Sequence, residues 1–131
     1  MYTIDLNTSS RIEYLNITGE VRRAITESGL KEGIAIVYVP HTTAGITINE
    51  AADRDVVSDI NRKLSEIVPV ESTYQHYEGN SDAHIKSSLM GSSIQVIVTQ
   101  GKPVLGQWQG IFFCEFDGPR RRKVFVKTIA G

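Results

Sequence analysis

Three histidines are the residues of this sequence best suited to acid–base or metal chemistry. His76 and His84 stand eight residues apart around a Gly-Asn-Ser-Asp segment, and His41 opens a second polar run. Imidazole is the usual proton shuttle near neutral pH and the commonest metal ligand. We therefore expect His41 and His84 to be catalytic and consider all three as ligands of a divalent metal. Each alone could equally be an ordinary surface residue, and their spacing matches no zinc motif such as H-E-x-x-H.

A helix start beside two of these histidines is suited to binding an anion. The side-chain oxygen of Asn80 or Ser81 can accept a free amide proton of the first helical turn. The remaining free amides and the helix dipole favour a phosphate group. Along the same helix, Ile85 and Leu89 share one face, which we predict to point inward. This arrangement would leave His84 facing a ligand.

A second polar segment ends at Glu50. Residues 42–48 alternate as a strand does, so Thr43, Thr47 and Asn49 fall on one face, which we expect to look into a site. Glu50 then serves as a general base or as an oxygen ligand of magnesium. The alternative is a capped and solvated helix start, because acidic residues favour the positive end of the helix dipole.

The arginine run near the end of the sequence is a candidate phosphate clamp. Arg120 and Arg122 alternate, so along a strand both would point the same way, and the guanidinium fork matches phosphate oxygens. The alternative is a hairpin turn at Gly118-Pro119 followed by a solvated cationic strand. Cys114 lies among apolar residues, which favours a role in core packing over that of a nucleophile.

The elements that must position these residues are predicted from periodicity and from helix stop signals. Helices are expected from a cap at Thr18 to a stop at Gly29, from Asp53 to Pro69, and through His84 to Gly91. Strands are predicted over residues 2–7, 11–15, 33–39, 42–48, 94–99, 105–117 and 122–129. We expect residues 33–39 to be buried on both faces, and Trp108, Phe112 and Cys114 to share one face of their strand. The pattern favours one α+β domain over residues 1–131, with a mostly antiparallel, strongly curved sheet and about three helices.

Composition narrows the possible partners. The 131 residues carry a formal net charge of −1, which gives no overall attraction for nucleic acid or an anionic membrane. A single cysteine excludes an internal disulfide and fits a reducing compartment. No stretch approaches the roughly 20 apolar residues of a membrane span, and no secretion signal opens the chain. We expect a cytoplasmic protein.

Four sequence blocks together resemble the YjbQ family, which is also named for a secondary thiamine-phosphate synthase activity. They come in that family's order and span almost the whole chain: residues 41–50 (HTTAGITINE), 76–84 (HYEGNSDAH), 105–109 (LGQWQ) and 115–122 (EFDGPRRR). The resemblance implies a compact α+β domain that assembles as a homotrimer. It also implies that the histidine and glutamate segments gather in a pocket near a subunit boundary.

The resemblance further implies a reaction, and the family's motif blocks contain the candidate residues. The reaction joins hydroxymethylpyrimidine diphosphate to thiazole phosphate and releases diphosphate. Catalysis is expected of His41, Glu50 and His84, metal binding of the three histidines with magnesium or zinc, and substrate or phosphate binding of Asn49, Asn80, Ser81, Gln109, Arg120 and Arg122. Two other functions remain open: a metal-dependent hydrolase of a phosphorylated metabolite, and a trimeric protein that binds such a metabolite without converting it.

Overall fold

The computed structural model of the protein describes residues 1–71 and 73–131. Three helices are present in these residues: α1 (Thr18–Ser28), α2 (Arg54–Ile67) and α3 (Ser81–Met90). The strands are β1 (Tyr2–Asn7), β2 (Glu13–Asn16), β3 (Gly33–Tyr38), β4 (Ala44–Glu50), β5 (Ser93–Thr99), β6 (Lys102–Pro103), β7 (Gln109–Glu115) and β8 (Arg121–Ala130). No helix within these residues is long and apolar enough to cross a membrane.

The strands form two antiparallel sheets. Five strands pair in the order β1-β8-β3-β5-β6, and three pair in the order β2-β7-β4. Each ladder in both sheets is antiparallel. The predicted α+β class, the curled antiparallel sheet and the number of helices are confirmed.

The main core lies between the inner faces of the two sheets, and α1 packs into it. Val21 and Ile25 of α1 are wholly buried beside residues of both sheets. The prediction that β3 is buried on both faces is wrong, because Ala35 and Val37 are buried whereas Ile34 and Tyr38 are exposed. No described helix packs on the outer face of the five-stranded sheet, so Ile34 and Tyr38 stay exposed and Ile36 is only half-buried.

A second, smaller core lies between the three-stranded sheet and the helices α2 and α3. Phe112, Cys114 and Phe116 pack there against Ala83 of α3. The predicted packing role of Cys114 is confirmed, since its thiol is fully buried and burial raises its pKa. Trp108, which we expected on the same face, precedes β7 and is exposed.

Helix α3 covers the face of β4 that we expected to open into a site. A Cβ atom on Gly45 would come within 2.9 Å of the Gly91 carbonyl oxygen and 3.0 Å of the Met90 Cβ, so the helix end rests on this glycine. Ser87 also donates a 2.6 Å hydrogen bond to the carbonyl oxygen of Ala44. Of the threonine and asparagine face, only Asn49 is exposed.

Two local predictions about helices are also wrong. Ile85 and Leu89 of α3 are exposed, because the helix turns Asp82, Ala83, Lys86 and Ser87 inward instead. Thr18 does not cap α1. It is the first helical residue, and its hydroxyl group instead accepts the amide proton of Ile111.

Candidate functional site

Two imidazole rings lie side by side at the start of α3. The ring centres of His76 and His84 are 5.5 Å apart, with the planes nearly perpendicular at 86°. Because α3 begins at Ser81, His84 stands in its first turn, and the preceding loop returns His76 to it. Nε2 of His76 lies 3.6 Å from a carboxylate oxygen of Glu78. The pair offers two adjacent groups that can donate or accept protons at the surface.

Asn80 links the start of α3 to the turn after β7. Its Nδ2 donates to Asp117 Oδ2 at 2.9 Å, and Arg120 Nη2 donates to the same oxygen at 3.0 Å. Burial would raise the pKa of Asp117, but these hydrogen bonds and the Arg120 charge lower it overall. An ionised carboxylate only accepts, which fixes the amide orientation. Asn80 Oδ1 is therefore left buried with no hydrogen-bond partner among the described residues.

The side chain of Asn80 stands at the N-cap position of α3 but makes no capping hydrogen bond. The predicted capping by Asn80 or Ser81 is therefore wrong, because the side-chain amide of Asn80 is hydrogen-bonded to Asp117 instead. Asn80 and Arg120 nevertheless come together with His84 at one end of the helix, as the phosphate-site prediction requires. Their use in binding a ligand stays a prediction.

A buried charge cluster that the sequence did not indicate supports the first turn of α3. Arg11 holds both oxygens of Asp82, at 2.9 and 3.2 Å, and the Lys86 ammonium lies 3.7 Å from the same carboxylate. Lys86 also donates to Ser65 Oγ at 3.2 Å. Burial lowers the pKa of Lys86, although the charge of Asp82 opposes this. The spacing of Asp82 and Lys86 signals an ion pair, but nothing local in the sequence indicates Arg11.

Arg122 is buried rather than available at the surface. Its guanidinium pairs with Glu115 and donates to Thr43 Oγ1 at 2.9 Å, and Thr8 donates to Glu115 at 2.7 Å. Arg120 is exposed and points elsewhere, so the expected parallel arrangement of these two arginines is not found. Among the described residues, the fork of Arg122 is occupied by protein groups.

His41 lies at the same end of the molecule as this buried pair. Its Nε2 accepts the backbone amide proton of Lys123 at 2.9 Å. Partial burial and the nearby charge of Arg122 lower the pKa of His41, while Glu115 opposes them. The hydrogen bond requires a lone pair on Nε2, so the neutral ring carries its proton on Nδ1.

Glu50, Asn49 and Gln109 lie at the opposite end of β4. In the β4–β7 ladder, Ala44 pairs with Glu115 and Glu50 pairs with Gln109. Six residues of strand separate these ends by about 20 Å. The predicted residues therefore form two groups. We call the first the histidine end (His41, His76, Asn80, Ser81, His84, Arg120 and Arg122) and the second the Glu50 end (Asn49, Glu50 and Gln109).

One chain brings together only part of the donor set that the metal prediction requires. His76 and His84 are adjacent, and imidazole suits zinc. Within residues 1–71 and 73–131, however, no group of three or more His, Cys, Asp or Glu side chains is arranged to hold a metal ion. A single chain does not complete a metal site, so metal binding stays a prediction.

These features define a small α+β protein with two antiparallel sheets and a histidine pair at the first turn of its last helix. The family model described as UPF0047 protein YjbQ-like matches residues 2–131, and the chain belongs to this family. A UPF0047 protein of Methanocaldococcus jannaschii is 56% identical over 98% of this chain and 94% of its own length. UPF0047 protein YugU of Bacillus subtilis is 51% identical over 97% of each chain.

Solved structures agree with the fold. The crystal structure of a YjbQ/UPF0047 family protein from Clostridium acetobutylicum superposes with a TM-score of 0.96 at 56% identity, covering 98% of this chain and all of the other. A YbjQ-like protein from Sulfolobus solfataricus superposes with a TM-score of 0.94 at 33% identity, over 99% of this chain and 96% of its own. The YjbQ resemblance inferred from the sequence is confirmed.

Proposed function

We propose that this protein is an enzyme that acts on a phosphorylated small molecule, and that its reaction is the synthesis of thiamine phosphate. The observation that carries the proposal is the His76–His84 pair, with ring centres 5.5 Å apart at the first turn of α3. Asn80 and the exposed Arg120 are at the same helix end. Proton donors, a helix N-terminus and a guanidinium group are the elements that stabilise a departing phosphate.

The reaction places one demand on this histidine end. The bond between the pyrimidine methylene carbon and the diphosphate oxygen breaks, and the thiazole nitrogen supplies the electron pair of the new carbon–nitrogen bond. Diphosphate leaves with the electrons of the broken bond, so negative charge grows on its oxygens. His84 donates a hydrogen bond or a proton to those oxygens, and Arg120 offsets their charge. The ring of His76 lies beside that of His84. A bound divalent ion would add further charge compensation.

The resemblance to the family also motivates a homotrimeric assembly, for which the outer sheet face gives support. Ile34, Tyr38, Ile97 and Ile129 are exposed on the five-stranded sheet. The rings of Tyr38 and Phe125 stack there, 6.5 Å apart. Apolar residues gathered on one open sheet face are typical of protein interfaces. Because about 20 Å of strand separates the two ends within one chain, a ligand can contact both only where two copies meet.

The test is an assay of purified protein with both substrates, comparing wild type with His84→Ala and His76→Ala. Loss of a general acid predicts a rate lower by about 100-fold or more. Ser88→Ala is the matched control, since Ser88 is one turn further along α3 and, among the described residues, its hydroxyl group donates only to the His84 carbonyl oxygen. Equal rates for wild type and His84→Ala would remove His84 from the mechanism.

The same experiment separates the two other functions. Tight calorimetric binding of the diphosphate substrate without any product would indicate a binding protein. Phosphate release from a single substrate, lost after treatment with a chelator, would indicate a metal-dependent hydrolase. The adjacent imidazoles of His76 and His84 are the observation that favours this second candidate.

A further inference from the structure

A cavity of about 400 Å³ opens at the Glu50 end, away from the histidines. It lies where β2, the β4–α2 connection, the first turn of α2 and β7 meet. Its walls are formed by Tyr14, Asn16, Glu50, Ala51, Asp53, Arg54, Val57 and Phe112. A cavity of this volume with mixed polar and apolar walls is typical of a small-molecule site.

The charged groups of this cavity keep unused binding capacity. Glu50 Oε2 accepts the amide proton of Ala52 at 2.9 Å, and Asp53 Oδ1 accepts that of Asp55, also at 2.9 Å. The second oxygen of each carboxylate has no hydrogen-bond partner within residues 1–71 and 73–131. Over the same residues, Arg54 forms no ion pair. Asp53 is exposed and Glu50 is half-buried, and the free oxygen of each can accept a hydrogen bond from a donor group on a ligand.

Asn16 adds a donor to the cavity. Its Oδ1 accepts from the amide and the hydroxyl group of Thr18, at 3.0 and 2.6 Å. Both bonds fix the amide so that Nδ2 is the group left to donate. A ring nitrogen is a suitable acceptor for it. The polar walls therefore match a ligand that presents both N–H donors and a nitrogen acceptor.

Aromatic side chains supply the apolar part of the cavity. Phe112 and Tyr14 lie on one face of the three-stranded sheet, and Tyr14 packs edge-on against Phe116 at 6.1 Å. Phe112 is almost wholly buried, so the half-buried ring of Tyr14 is the surface on which a flat ligand can stack. A hydrated magnesium ion could use the carboxylate oxygens but would gain nothing from the aromatic walls, because it prefers oxygen ligands and keeps several of its waters.

We propose that this cavity binds a planar nitrogen heterocycle with an exocyclic amino group, held by Glu50 and Asp53. In the proposed synthase reaction, on which this choice of ligand rests, the aminopyrimidine ring is that heterocycle. Because the cavity is about 20 Å along β4 from the histidine end, the ring and its diphosphate cannot use both ends of one chain. The diphosphate would instead reach the histidines of a second copy.

Binding can be measured without turnover, by the fluorescence of the protein's single tryptophan. The carbonyl oxygen of Trp108 accepts the amide proton of Ala51 at 2.8 Å, so the backbone of this exposed residue lies next to a residue of the cavity wall. The probe is 4-amino-5-hydroxymethyl-2-methylpyrimidine, which carries no phosphate. The comparison probe is the same ring without its 4-amino group, and magnesium chloride alone is a third arm.

We expect a saturable fluorescence change with the amino probe and a Kd at least about tenfold higher without the amino group. Glu50→Gln and Asp53→Asn should each raise the Kd by a similar factor, because both keep the backbone hydrogen bond but lose the negative charge. Glu66→Gln, an exposed α2 residue outside the cavity, is the matched control and should bind as wild type does. Thermal midpoints confirm that each variant is folded.

Equal affinity for the two probes, or an unchanged Kd in both folded variants, would overturn the proposal. A saturable response to magnesium alone that competes with the probe would also overturn it, in favour of a cation site. Probe binding without thiamine phosphate formation would leave this site standing while the proposed synthase function fails. Turnover without probe binding would support the synthase function and would show that this cavity does not bind the pyrimidine ring.

Discussion

Glu115 and Arg122 form a buried ion pair that joins the two sheets. Glu115 ends β7 of the three-stranded sheet, and Arg122 is the second residue of β8 in the five-stranded sheet. Arg122 Nε donates to Glu115 Oε1 at 2.8 Å, and the same oxygen accepts from Thr8. His41 lies close enough for both charges to affect its pKa. A residue that we predicted to bind phosphate therefore fixes the sheets beside the histidine end.

Removing the cation of this pair should strongly destabilise the fold. Arg122→Met leaves the Glu115 carboxylate buried without its partner, which costs about 3 to 5 kcal/mol in the free energy of unfolding. Urea unfolding followed by circular dichroism measures the difference. Arg121→Met, at the exposed neighbouring position, is the control and should change stability by less than about 0.5 kcal/mol. A similarly small effect of Arg122→Met would contradict a structural role.

Stability should fall in acid partly through Glu115. Burial raises the pKa of this carboxyl group, but hydrogen bonds from Arg122, Thr8 and the Asp117 amide lower it overall, below its ordinary value of 4.5. A lowered pKa in the folded state means that the stabilisation is complete above about pH 4.5 and is lost as the pH falls through the lower folded value. Urea midpoints between pH 7 and pH 3 measure this. Glu115→Gln should show a shallower decline below pH 4.5 than wild type.

Periodicity and turn residues were sufficient to predict most of the fold. The helix stop at Gly29 and the start of α2 after Asp53 follow from local chemistry, whereas β4 (Ala44–Glu50) is shifted by two residues from the predicted 42–48. Local chemistry does not determine which face of a helix is buried. Ile85 and Leu89 suggested the inward face of α3, but Asp82 and Lys86 are buried because Arg11, distant in sequence, pairs with the carboxylate.

The candidate site was predictable in its residue types and not in its layout. The adjacency of His76 and His84 matches the expectation, since both flank the start of one helix. The separation of Glu50 from His84 could not be foreseen, because the direction of β4 relative to α3 depends on sheet pairing over long sequence distances. Arg122 was misjudged for a similar reason: its partner Glu115 lies across a turn, on another sheet.

The Arg11–Asp82–Lys86 cluster gives an asymmetric prediction for stability. Asp82→Ala removes the carboxylate that two cations share and leaves Lys86 buried without a counter-charge, so we expect a loss of about 3 to 5 kcal/mol. Lys86→Met should cost much less, because the apolar chain fills a similar volume and Arg11 still pairs with Asp82. Thermal and urea unfolding of the two variants provide the comparison. Equal losses would contradict this account.

The proposed trimer predicts that charges on the outer sheet face disrupt assembly. Tyr38→Asp and Ile97→Asp place carboxylates on adjacent strands of the exposed face, where burial in an interface would be costly. Light scattering coupled to size exclusion should show a trimer for wild type and smaller species for the variants. Ser58→Asp, at an exposed position of α2, which packs on the three-stranded sheet and not on this face, is the control. Monomeric wild type would contradict the assembly proposal.

His41 should be neutral at physiological pH and carry its proton on Nδ1. The Lys123 amide donates to Nε2 at 2.9 Å, and partial burial and the charge of Arg122 lower the pKa below the ordinary 6.5. The folded state thus favours the neutral ring, so its contribution to stability is complete above about pH 6.5 and is lost as the pH falls through the folded pKa. Long-range ¹H–¹⁵N correlation spectra distinguish the two tautomers, and a pH titration gives the pKa. An Nε2–H ring would show that the Lys123 contact does not hold in solution, and Nδ1 would then be the nitrogen available to a metal or a substrate. A pKa above 6.5 would contradict the expected neutral ring.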